Sequence, residues 1–123
     1  MDYSGEVQRR FAAPGRIARA AEHTGCETTG AAGDRALGVW VCFHVRARAG
    51  QIEAVRFQVF GCPHTIAAAS LLAERLEGEG VAALRRDWAR ELAADLSVPA
   101  EKLGRLLVLE DALRACARHG EQG

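Results

Sequence analysis

The chain is poor in aromatic residues. Two Trp, one Tyr and four Phe in 123 positions are too few for a platform on which nucleic-acid bases stack. It also lacks net charge: sixteen Lys and Arg balance sixteen Asp and Glu, so no global field draws it to nucleic acid or to an anionic membrane. No run approaches the ~20 consecutive apolar residues that span a bilayer. The opening Met1-Asp2-Tyr3-Ser4 is acidic and polar, without the apolar segment of a signal peptide. These absences suit a cytoplasmic, reducing setting in which Cys26, Cys42, Cys62 and Cys116 remain thiols. The four cysteines form no Cys-x-x-Cys pair, so the usual signature of a structural zinc site is missing.

What is present is a core. Apolar residues make up 49% of the chain, and the length suits one domain over residues 1–123. Ser4 suits the cap of a short helix from Gly5 to about Phe11, which Ala13-Pro14-Gly15 ends. Residues 16–34 are the least patterned part, and the glycine-rich run after His23 reads as loop or a short edge strand. Leu37–Arg46 is the clearest strand, with Val39, Val41, Phe43 and Val45 on one face and Trp40, Cys42 and His44 on the other. A hairpin through Arg46–Gly50 leads to a partner strand, Gln51–Phe60. Helices are expected over Thr65–Leu76, over Val81–Leu96 with Leu84, Trp88, Leu92 and Leu96 on one face, and over Glu101 to about His119. Cys116 falls on the apolar stripe of the last helix and reads as a core thiol. A small antiparallel sheet packed against a layer of helices, an α+β sandwich, follows.

The chemistry concentrates between strand and helix. Val55, Phe57 and Val59 alternate with Arg56 and Gln58 until Gly61 breaks the pattern, and Cys62 stands on the turn that opens the next helix. Pro63 suits a first helical position because its missing N–H would be orphaned there anyway. A thiol so placed faces unpaired backbone N–H groups and the positive end of the helix dipole, which favours thiolate. His64 lies next to it in sequence. A buried cysteine at a strand end is the plain alternative; the Gly-Cys-Pro-His turn argues for function.

The order of parts, and several motifs, resemble the iron–sulfur cluster assembly scaffolds of the IscU/NifU N-terminal type. Met1-Asp2-Tyr3-Ser4 with Phe11 and Pro14 resembles the family's opening. Gly33-Asp34 resembles its Cys-Gly-Asp, and Arg56-Phe57 through Phe60-Gly61-Cys62, followed by Ile66-Ala67-Ala68-Ala69-Ser70, resembles its central motif. Leu109-Glu110-Asp111-Ala112-Leu113 resembles a segment of its last helix. The resemblance implies an IscU/NifU-N-like sandwich (the SufE/NifU fold) and a scaffold rather than an enzyme. Such a scaffold takes persulfide sulfur from a cysteine desulfurase, takes iron, and builds a [2Fe–2S] cluster on three thiolates, the soft anionic ligands that such clusters take.

The departures from that pattern are specific. Ala32 stands where the first ligand cysteine belongs, and Gly104 and Arg105 stand where the family has His-Cys. Val98-Pro99-Ala100-Glu101-Lys102 is a reduced form of the chaperone-recruiting segment, which argues against chaperone binding. Asp34 and Cys62 survive from the ligand set. Cys26 and His64 are the candidates to complete a site with them for an iron or zinc ion or a cluster, and Cys42 and His44 share a strand face. Cys62 alone suffices to accept persulfide sulfur, and Arg105 near it would lower the thiol pKa while repelling a metal. Three functions follow: an assembly protein that binds iron or a cluster or accepts sulfur on Cys62; a paralogue that binds no cluster and acts as adaptor or regulator; and a small enzyme pairing Cys62 with His64 as nucleophile and base.

Overall fold

A computed structural model of the protein describes residues 27–122 together with Gly5 and Val7. Three antiparallel strands in the order β1-β2-β3, β1 (Glu27–Asp34), β2 (Val39–Arg48) and β3 (Gln51–Phe60), form one sheet. The glycine-rich run expected as loop or edge strand is thus an eight-residue strand. Short 3-10 turns at Arg35–Leu37, Val81–Arg85 and Ala100–Lys102 punctuate the chain, and three α-helices follow the sheet: α1 (Pro63–Leu76), α2 (Ala89–Leu96) and α3 (Leu103–Gln122). Of the helix expected over Gly5–Phe11, Gly5 and Val7 are helical and Val7 is buried in the core; the rest lies outside the described residues.

The hairpin turn is tighter than the charge pattern suggested. Arg46, Ala47 and Arg48 belong to β2, and the turn is Ala49-Gly50, both at positive φ (55° and 79°). Two left-handed residues match the twist of an antiparallel pair. The register shifts between Arg46 and Ala47, so Arg46 faces Ala54 while Ala47 faces Ile52. That bulge keeps Val41, Phe43, Val45, Val55 and Phe57 together in one buried cluster. Helix α1 packs on β3, and α3 packs on β1 and β2. Leu72, Leu76, Leu106, Leu109, Leu113 and Cys116 fill the layer between. Cys116 is the core thiol expected, its Sγ donating to the Phe43 carbonyl at 3.4 Å, and burial pushes its pKa up to about 12.

The helix expected over Val81–Leu96 is broken. A 3-10 turn ends at Arg85, Arg86 is extended, and α2 begins only at Ala89. The cause lies on another element. Glu110 of α3, 6% exposed, accepts the backbone N–H groups of Trp88 at 3.1 Å and Ala89 at 2.7 Å through Oε2. A buried carboxylate therefore caps α2 and satisfies amides that a continuous helix would have bonded internally. Leu84, Trp88, Leu92 and Leu96 are all buried as their spacing implied, but on two pieces. Truncating Glu110 to Ala strands both amides, and hydrogen bonds to a charged group contribute ~1.5–3 kcal/mol each. We expect Glu110→Ala to cost about 3 kcal/mol in urea unfolding and Glu110→Gln, which keeps an acceptor, clearly less. No helix among the described residues is long and apolar enough to cross a membrane.

Candidate functional site

Antiparallel pairing brings Asp34, Val39 and Phe60 to the same end of the sheet, and α1 starts there. Cys62 is its N-cap residue, extended at φ −77° and ψ 170°, with Pro63 in the first turn. The residue is half-buried. Its Sγ lies 3.5 Å from Thr65 Oγ1. Gly61 makes this contact possible, because a Cβ there would come within 3.0 Å of the Thr65 side chain. Partial burial pushes the thiol pKa up. The Thr65 hydroxyl, the backbone amides of Thr65 and His64, and the Arg105 charge together outweigh it, so the pKa lies below the ordinary value of 9.0.

Arg105, on the first turns of α3, donates from Nη1 to the Gly38 carbonyl at 3.3 Å. That bond ties the start of α3 to the loop between β1 and β2. Gly33, at φ +94°, belongs to the same loop entrance; a Cβ there would lie 2.4 Å from the Val39 carbonyl oxygen and 3.1 Å from Val108 Cγ1. Asp34 is exposed, and its Oδ1 accepts the Ala36 amide at 2.9 Å, capping the 3-10 turn. His64 is 1% exposed, and burial and the Lys102 charge hold its pKa below the ordinary imidazole value. Ala32 is partly buried against the core, and Gly104 is exposed with open space around its α-carbon. Cys26 and His23 lie outside the described residues.

The end of the sheet thus gathers Asp34, Cys62 and Arg105. Among the described residues no three His, Cys, Asp or Glu side chains converge as a metal-holding group. One thiolate beside a guanidinium attracts anions and electrophilic sulfur and opposes a cation, so the described residues do not fit a cluster held by three thiolates. Thr65 and Lys102 escaped the sequence reading. Thr65 had a local signal, a hydroxyl three residues after a helix N-cap; Lys102 had none before α3 was placed.

Cys42 and His44 lie elsewhere, on the face of β2 turned away from the helices. Both are buried, at 7% and 4% exposed, and burial raises the Cys42 pKa.

The NifU-like N terminal domain family matches residues 2–120. The chain belongs to that family. As a NifU-like N terminal domain it is similar to "Iron sulfur cluster assembly protein 1, mitochondrial" of Eremothecium gossypii, 36% identical over 69 residues, 56% of this chain and 45% of the relative. It is 33% identical to "Iron sulfur cluster assembly protein 2, mitochondrial" of Saccharomyces cerevisiae over 92 residues, 73% of this chain and 59% of that one. It is 38% identical over 64 residues to the "Iron-sulfur cluster assembly scaffold protein IscU" of Rickettsia prowazekii, 52% of this chain and 49% of the relative. The NifU-like domain thus spans about half the length of these curated relatives. Its fold is that of a NifU-like N-terminal protein of Brucella abortus (TM-score 0.71, 19% identity, 97% and 94% of the two chains). It is also that of a scaffold protein for the SUF system of Fervidobacterium islandicum (TM-score 0.72, 12% identity, 93% and 96%).

Proposed function

We propose that this NifU-like domain works in iron–sulfur cluster assembly as a sulfur acceptor rather than an enzyme, with Cys62 as the accepting thiolate. The observation that carries the reading is Cys62 itself: half-buried, at a helix N-terminus, with a hydroxyl, two amides and a guanidinium favouring its charged form. The names of the relatives support the assembly setting. The donor is a protein persulfide, of the kind a cysteine desulfurase carries. Cys62 thiolate attacks the outer sulfur; its Sγ–S bond forms, the donor S–S bond breaks, and the donor leaves as thiolate. No external oxidant or reductant enters. Arg105 and the amides of His64 and Thr65 hold the anion before and after transfer. Iron enters as cargo, and Asp34 at the same sheet end is the carboxylate nearest that role in sequence pattern. The test is incubation with a persulfide-loaded desulfurase, followed by peptide mass spectrometry. The expected result is one added sulfur on the Cys62 peptide, absent in Cys62→Ser. Sulfur on another cysteine, or on none, overturns the reading.

A further inference from the structure

Arg105 acts on Cys62 through its charge, so where the guanidinium is held decides how much it does. Among the described residues the Gly38 carbonyl is its one hydrogen-bond partner, 3.3 Å from Nη1. A long cationic side chain tied to a single neutral acceptor is as well placed as that acceptor. Gly38 is placed by the turn between β1 and β2. Its N–H donates to the Arg35 carbonyl at 3.0 Å, and its φ of 88° is a left-handed conformation that suits glycine. Asp34 Oδ1 closes the other end of the turn by accepting the Ala36 amide at 2.9 Å. The Arg35 guanidinium carbon then lies 4.7 Å from the centroid of the Trp40 ring, inside the ~6 Å reach of cation–π attraction. Trp40 is fixed in turn by the sheet, opposite Gly33 on β1 and Phe60 on β3.

We propose that Trp40 and Arg35 are positioning residues for Cys62: the ring holds Arg35, the closed turn holds the Gly38 carbonyl, and that carbonyl holds the Arg105 guanidinium. The inference rests on Cys62 as the accepting thiolate and adds the route by which its environment is set. During sulfur transfer the negative charge spreads from Cys62 over the transferred sulfur to the leaving thiolate. A guanidinium already fixed beside that path stabilises the charge with no rearrangement at the moment of transfer. One free in solvent has to be ordered first, which costs side-chain entropy. Arg35 is exposed, so the Trp40 ring is what gives its side chain a defined place. The chain of contacts runs from the middle strand to α3 without touching Cys62.

The test is the rate of Cys62 alkylation by anionic iodoacetate divided by that by neutral iodoacetamide, measured at low salt on the full chain by peptide mass spectrometry. Both reagents meet the same thiolate, so the ratio cancels its ionised fraction and reports the local positive charge. Arg105→Gln is expected to lower the ratio about threefold, the effect of one nearby charge at water-like screening. Trp40→Leu changes no charge, yet should lower the ratio at least about twofold, while Trp40→Phe, which keeps a ring face for Arg35, stays near wild type. In the Arg105→Gln background Trp40→Leu should change nothing further, because the route ends on Arg105. Arg35→Gln, at an exposed position where folding is not at stake, should lower the ratio in wild type and by much less in Arg105→Gln. A ratio at or above wild type in Trp40→Leu, or reductions that multiply in the double variants, overturns the proposal. Failure of Cys62 to take up sulfur would leave these ratios unchanged, so the two readings fall separately.

Discussion

Replacing Gly30 with alanine is expected to destabilise the domain by at least about 3 kcal/mol, at the severe end of overpacking. Gly30 sits in β1 opposite Phe43, on the face toward α3. A Cβ built there lies 2.3 Å from Cys116 N, 2.4 Å from the Ala112 carbonyl oxygen and 2.8 Å from the Ala115 carbonyl carbon. All three are backbone atoms, so no side chain can swing aside. The helix must lift from the strand instead, and α3 carries Leu106, Leu109, Leu113 and Cys116 into the core. Urea unfolding followed by circular dichroism measures the cost. A loss below about 1 kcal/mol would mean that α3 does not ride on β1 as described. Ala31→Ser, one residue on and on the exposed face, is the control and stays near wild type.

That contact also explains why β1 was hard to see in the sequence. Glu-Thr-Thr-Gly-Ala-Ala-Gly-Asp has no apolar alternation, because a glycine stands where a large side chain would point at the core. The strand is specified by the close approach of α3 and by pairing with β2. The hairpin and α1 were legible because their signals are local: alternation through Val39–Val45 and Val55–Val59, then Cys62-Pro63 at the helix start. The break at Trp88 was not, since its cap comes from Glu110, 22 residues further along. The site divides the same way. Cys62 announced itself through the turn it occupies, and Arg105 through its place in the resemblance to the family. The Thr65 contact needed the helix drawn.

Removing the groups that hold the Cys62 anion is expected to shift the pH dependence of its reactivity toward higher pH. In wild type, alkylation of Cys62 by iodoacetamide, followed by peptide mass spectrometry, should have its midpoint below the ordinary thiol value of 9.0. Thr65→Val deletes the side-chain hydrogen bond, and Arg105→Gln deletes the charge. Each raises the midpoint, Thr65→Val by more, because a direct hydrogen bond to sulfur acts at shorter range than a guanidinium anchored on Gly38. At neutral pH both variants should alkylate, and accept sulfur from a persulfide donor, several-fold more slowly than wild type. Above pH 9 the order should invert. A thiolate of lower pKa is intrinsically the weaker nucleophile, with a Brønsted slope of about 0.4–0.5, so once every form is ionised the variants react faster. That crossing separates electrostatic tuning from damage to the fold, which would change rates in one direction at every pH. Profiles that coincide with wild type would remove Thr65 and Arg105 from the site and leave Cys62 activated by the helix terminus alone.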